Sequence, residues 1–144
     1  MKKVRIVIAD DHTLIAEAWA FLLTQSPQFE VAKIYNNTQT LIDEIEVVKP
    51  EIVLLDINIP PISGLDAIEF LTNKVPELLI IGISMHDEVS FAKRMIENGA
   101  KAYVTKNSHQ SEMFAAITEV LAGNTYICKA VSYTHLTLPT NREV

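Results

Sequence analysis

Three stretches of this chain, "RIVIA", "IVLLD" and "LLIIGIS", are almost continuously apolar over the length of a strand. A strand with one wet face alternates apolar and polar residues, so unbroken runs call for strands covered on both faces, as in a parallel sheet. Two further runs complete a set of predicted strands over residues 4–9, 29–35, 52–56, 78–84 and 102–105. The second is interrupted by Glu30 and Lys33, which places it at an edge. Between the strands, Ile15, Ala18 and Leu22 recur at helical spacing, as do Leu41, Ile45 and Val48, then Val89, Ala92 and Ile96, then Phe114, Ile117 and Leu121. Gly99 and Gly123 follow the last turns of the fourth and fifth helices, where a left-handed cap suits glycine. Alternating strands and helices joined by right-handed crossovers give a doubly wound α/β fold. The expected sheet is parallel and five-stranded, with five helices.

A chain of 144 residues can bury one real core. The formal charge of −6 argues against nonspecific grip on nucleic acid, whose phosphates reward excess Lys and Arg. Cys128 is the single cysteine, so an intrachain disulfide is excluded and a reducing compartment suits the chain. The apolar run after "MKK" meets acids too soon for a signal peptide core, and no stretch approaches a membrane span. A cytoplasmic protein with no membrane partner is the expectation.

Ligands of such sheets bind at the carboxyl ends of the strands, near the switch in strand order. Here the first strand runs into Asp10 and Asp11, the third ends in Asp56, the fourth in Ser84 and the fifth in Lys106. If the sheet order is 2-1-3-4-5, all of them come to one rim. Three converging carboxylates repel by several kcal/mol at intermediate dielectric, and a hard divalent ion such as Mg²⁺ relieves that repulsion. Lys106 and the Ser84 hydroxyl then offer donors to a bound phosphoryl group. Taken singly, each residue has a plainer reading: Asp11 as a helix cap, Ser84 as a turn residue, Lys106 as a solvated charge, His12 as part of the helix start. Independent turn residues need not share one rim, and the set as a whole favours a site.

"VIADDH", "IVLLDINIPPISGLDAI", "IIGIS" and "GAKAYVTK" together resemble the receiver domain of two-component response regulators, over residues 3 to about 127. The "DDH" start, "GAKAYVTKNS" and "EVLAGNTYI" look most like the subfamily with a LuxR-type (NarL/FixJ-like) DNA-binding output domain. The resemblance implies a flavodoxin-like (CheY-like) fold and a signalling phosphoacceptor rather than an enzyme. Asp56 would take a phosphoryl group from a sensor histidine kinase. Asp11, Asp56 and the backbone carbonyl of Asn58 would ligate Mg²⁺, with Asp10 acting through a water. Lys106 and Ser84 would hold phosphoryl oxygens, and Ser84 and Tyr103 would form the switch. A homodimer on phosphorylation is a further implied partner, and DNA would be reached only through a C-terminal domain absent from this chain. Asn107 stands where many receivers carry a cis-proline, so a trans bond is expected after Lys106.

Other readings fit less well. Haloacid-dehalogenase-type phosphatases need a second Asp two residues after the nucleophile, where this chain has Asn58. A flavin mononucleotide binder would need a Ser/Thr/Gly phosphate loop where Asp10 and Asp11 stand. A receiver that has lost phosphorylation would not be expected to keep every acceptor-site residue type. A stand-alone receiver acting by protein contact is the remaining variant. The expected division is a receiver over 1–127 and a linker remnant with a non-native tail over 128–144. After Cys128 the periodicity ends, and "LTLPTNREV" echoes the opening of a LuxR-type domain, "LTPREREVL". Alternatively "VSYTHLTLPT" can be written GTC TCT TAT ACA CAT CTG ACG CTG CCG ACG, which resembles a transposase adapter used in sequencing libraries. On that reading residues from about Val131 onward are translated adapter, expected to be disordered or poorly packed.

Overall fold

The computed structural model describes residues 2–86 and 89–134, the side chains of 132–134 excepted. Strands and helices alternate as β1 (Val4–Ala9), α1 (Thr13–Thr24), β2 (Phe29–Tyr35), α2 (Thr38–Val48), β3 (Ile52–Asp56) and α3 (Gly64–Lys74). The chain continues through β4 (Leu79–Ser84), α4 (Val89–Glu97), β5 (Ala102–Thr105), α5 (Gln110–Leu121), β6 (Tyr126–Ile127) and α6 (Lys129–Thr134). The sheet is parallel, in the order β2-β1-β3-β4-β5-β6, with β2 at an edge as its polar residues require.

The expected five strands and five helices are therefore six and six. β6 has two residues, too few to show a period. It exists because Ala102 and Tyr103 of β5 pair with Tyr126 and Ile127. Backbone bonds from Tyr126 N to Lys101 O and from Cys128 N to Tyr103 O extend that pairing. The Glu112 carboxylate of α5 closes the corner, accepting from the Tyr126 hydroxyl and the Lys129 N–H. α6 then lies against α4 with Val131 fully buried, so residues 131–134 are not the unstructured run expected after Cys128. Residues 135–144 lie outside the described residues.

The apolar runs behave as their composition demands. Ile6–Ala9 of β1, all of β3, and Ile80–Ile83 of β4 are buried between the two helical layers. The helix faces follow the predicted stripes in α2 and α4. In α5 the buried face is Met113, Ala116, Ile117 and Val120 while the expected Leu121 is exposed, and a similar shift occurs in α1. There Ala16, Trp19 and Leu23 face the core while Ala18 is exposed, one position away from the expected Ile15, Ala18 and Leu22. Residues 14–16 and 18–23 are all apolar, so periodicity cannot choose among stripes. The largest side chain, Trp19, takes the sheet. Gly99 and Gly123 do hold the left-handed backbone expected of them, at φ 123° and 91°.

Strand register levels the rim. Ala9 pairs with Leu55, Asp56 with Ile83, and Ser84 with Thr105. Asp10, Asp56, Ser84 and Lys106 therefore leave neighbouring strands at nearly the same height, where strand order reverses about β1 and β3. α3 comes so close beneath this rim that a Cβ on Gly64 would stand 2.4 Å from the carbonyl oxygen of Asp56. Only glycine fits there.

Candidate functional site

The rim is built around a buried ammonium. Lys106 follows β5, and its Nζ lies 2.9 Å from Asp10 Oδ1 and 3.1 Å from Asp56 Oδ2, with all three side chains at most 1% exposed. Asp56 Oδ1 accepts from the N–H of Asn58 at 3.1 Å, which orients the carboxylate from its own loop. Asp10 Oδ1 accepts from the N–H of His12 at 2.9 Å, while Asp10 Oδ2 is buried with no hydrogen-bond partner among the described residues. Asp11 is the exposed member of the set. It does not cap α1; His12 occupies that position.

Ser84 is fully buried, and its hydroxyl accepts from the N–H of His86 at 3.0 Å. Tyr103 is also fully buried, and its hydroxyl donates to the carbonyl of the same residue at 2.7 Å. The two predicted switch side chains thus hold opposite ends of the backbone at His86. The Lys106 N–H donates to Ser84 O at 2.7 Å and ties the ends of β4 and β5 together. Among the described residues only Pro60–Pro61 is cis, so the bond after Lys106 is trans as expected.

One member was missed in the sequence. His12 turns away from the helix start and into the acids, its Nδ1 2.7 Å from Lys106 Nζ and 3.2 Å from Asp10 Oδ1. Its place beside "DD" was a signal, but the direction of a half-exposed ring is set by neighbours from β1 and β5.

Among the described residues, charge at the rim is unbalanced: three carboxylates stand around one lysine. Burial pushes the Asp56 carboxyl above its ordinary 3.8, with the charge of Asp10 acting the same way. The Asn58 N–H and Lys106 pull it back without cancelling the effect. A carboxyl raised on folding contributes stability that is complete below its unfolded value and lost as pH rises through the folded one. In a metal chelator, the wild-type chain is expected to lose thermal stability as pH rises from about 4 toward neutrality. Asp56→Asn should flatten that decline and melt higher than wild type at pH 7. Parallel melting profiles for the two proteins across this window would contradict the assignment.

Asp56 thus stands beside two acids, with a lysine in contact and a buried hydroxyl on the next strand, at the switch point of a parallel sheet. Residues 6–118 match the response regulator receiver domain family, and the chain belongs to it. It is 33% identical over 129 residues to the transcriptional regulatory protein MctR of Rhizobium johnstonii, covering 90% of this chain and 60% of that one. It is 30% identical over 131 residues to DegU of Brevibacillus brevis, covering 91% and 56%. The chain thus spans a little over half the length of these relatives. Among solved structures, a LuxR-family two-component response regulator from Aurantimonas sp. SI85-9A1 superposes with a TM-score of 0.90 at 25% identity, covering 97% of this chain and all of that one. The receiver domain of the putative regulator NarL from Mycobacterium tuberculosis gives 0.80 at 25% identity, covering 86% and 100%.

The chain is therefore a receiver domain of the LuxR-family kind, and such domains are signalling proteins. Asp10, Asp11, His12 and Asp56 each offer one metal-ligating atom, and these atoms lie within 4.8 Å of one another. No helix among the described residues is long and apolar enough to cross a membrane.

Proposed function

We propose that Asp56 is the phosphoacceptor and that its phosphorylation, with Mg²⁺ bound at the rim, switches a transcriptional output. The observation that carries this is the buried contact of Lys106 with both Asp10 and Asp56. It gathers two acids and an ammonium from the ends of three strands into one buried place. In the transfer, an Asp56 carboxylate oxygen bonds to the phosphorus of a phosphohistidine as the P–N bond breaks, and that electron pair leaves with the imidazole nitrogen. Lys106 sits where it can neutralise a phosphoryl oxygen, and Ser84 is one strand away with a hydroxyl to offer. Phosphoryl transfer asks mainly for such positioning and charge neutralisation.

Mg²⁺ fits the donor set. Among the described residues, Asp10 is fully buried yet has one oxygen without a donor, and one ammonium stands among three carboxylates. Asp11, Asp56 and the Asn58 carbonyl would hold the ion directly, with Asp10 acting through water. When bound, the ion supplies the positive charge that lets a phosphoryl group approach these acids.

Ser84 and Tyr103 support a switch because both hydroxyls grip the backbone at His86. Drawing Ser84 toward a phosphoryl oxygen would release the His86 N–H, and the population of loop conformations would shift. The partners we infer are a sensor histidine kinase, a second copy of the phosphorylated chain, and DNA through a C-terminal output domain. Cytoplasmic location follows from the same reading. RcsB of Salmonella, alike in fold at 18% identity, has been seen as two dimers on two parallel DNAs. We keep residues 1–127 as the receiver unit and 128–144 as linker with an adapter-derived tail. A native locus coding without interruption through Val144 would overturn the adapter origin.

Incubation of the chain with acetyl phosphate and Mg²⁺, read by intact mass, is expected to show one phosphoryl adduct that disappears with chelator. Labelling that is equally strong without a divalent ion would remove the metal from the mechanism.

A further inference from the structure

Among the described residues at the rim, His12 is a group to which the proposed phosphoacceptance gives no role. It is the N-cap residue of α1, a position whose side chain ordinarily accepts from a first-turn N–H, yet it makes no such bond. Its Nδ1 stands 2.7 Å from Lys106 Nζ, 3.2 Å from Asp10 Oδ1, 3.7 Å from Asp11 Oδ1 and 4.0 Å from Asp56 Oδ2. An ammonium donates and never accepts, so the Lys106 contact requires Nδ1 to be the acceptor, its lone pair facing the ammonium that also contacts Asp10 and Asp56. That is the form in which imidazole binds metals.

A separate observation points to the same place. Asp10 is fully buried, and its Oδ2 has no partner among the described residues. A buried carboxylate oxygen left without a donor is costly, and a hydrated cation is what satisfies it.

We propose that His12 is a nitrogen ligand of the rim's cation, giving this receiver a preference for a first-row transition dication such as Mn²⁺ over Mg²⁺. The inference rests on reading Asp10, Asp11 and Asp56 as a cation site. Mg²⁺ takes oxygen ligands and gives up water reluctantly, so an imidazole does little for it. Transition dications accept imidazole readily, and the carboxylates of Asp11 and Asp56 with one imidazole make a mixed set that suits them, Asp10 staying behind a water. The geometry needs little adjustment. Ligand atoms about 2.1 Å from an ion are at most about 4.2 Å apart, whereas those of Asp11, His12 and Asp56 lie within 4.8 Å. The His12 side chain, 56% exposed, has room to close that difference. Lys106 would give up its contact with the ring and keep both carboxylates.

The test uses the full chain loaded with Mn²⁺ and examined by pulsed electron paramagnetic resonance. Wild type is expected to show coupling to an imidazole nitrogen that is lost in His12→Ala and in His12→Phe. By calorimetry, His12→Ala should weaken Mn²⁺ binding roughly tenfold and Mg²⁺ binding by less than about threefold. Absence of Mn²⁺ binding, absence of nitrogen coupling in wild type, coupling that persists in the variants, or a parallel loss of both ions would each overturn the proposal. Acetyl phosphate labelling of wild type in Mg²⁺, run alongside, separates the two readings. If labelling fails while the nitrogen coupling appears, phosphoacceptance falls and His12 stands as a ligand.

Discussion

Asp56→Ala is expected to take up no phosphoryl group from acetyl phosphate in Mg²⁺, with intact mass showing the adduct on wild type alone. The three rim acids are not interchangeable, because β3 lies between β1 and β4 in the sheet. Asp56 therefore has the acids that follow β1 on one side and Ser84 of β4 on the other, with Lys106 Nζ reaching both Asp56 and Asp10. A phosphoryl group on Asp56 would lie between the proposed cation and the lysine. Asp10 has one oxygen committed to Lys106 and the His12 N–H, and a strand separates it from Ser84. Asp11 is exposed and has no bond to Lys106 among the described residues. The expected loss is complete, and an adduct of undiminished yield on Asp56→Ala would sink the assignment.

Lys106→Ala should be the most destabilising change at the rim when measured in chelator at neutral pH. It removes the ammonium shared by two carboxylates that are themselves at most 1% exposed. Breaking a buried pair from one side costs about 3–5 kcal/mol, because the remaining charge has neither water nor partner. The deficit has a sign in pH. Without the lysine, the Asp56 carboxyl is pushed further up in the folded state, so stability falls as pH rises through its folded value. Mild acid should recover the variant by protonating Asp56, and Mg²⁺ should recover it at neutral pH by replacing the missing charge. Denaturant unfolding at two pH values, with and without Mg²⁺, checks both. A loss independent of pH and of the ion would mean that the side chain contributes packing rather than charge.

The Lys106 variant and Asp56→Asn are expected to move stability in opposite directions, and one imbalance explains both. Among the described residues, three carboxylates stand around one lysine at the rim. Removing an acid relieves that excess, and removing the lysine worsens it. The resting fold carries this strain at the place where an added cation and an added phosphoryl group act.

Much of this was legible in the chain because the physics was local. "RIVIA", "IVLLD" and "LLIIGIS" could not serve as half-wet strands, and the acids that end two of them could not sit together at a parallel rim without an opposing charge. Strand limits, the edge position of β2 and the meeting of Asp10, Asp56, Ser84 and Lys106 follow from those facts. Helix α1 shows where local information stops: its apolar residues run around the whole cylinder, and only contact with the sheet chose Trp19 over Ala18. β6 and α6 were illegible for a related reason. Two residues have no period, and Tyr126–Ile127 became a strand because β5 had an open edge and Glu112 stood ready to hold the corner. His12 stood in plain view beside two aspartates, but its direction depends on Lys106, which reaches it across 94 residues of sequence. What the sequence alone determined was which residues had to be buried and which charges had to meet. Which side of a helix, which edge of the sheet and which way a ring points were decided by tertiary contacts, because each depends on atoms the local chain does not contain.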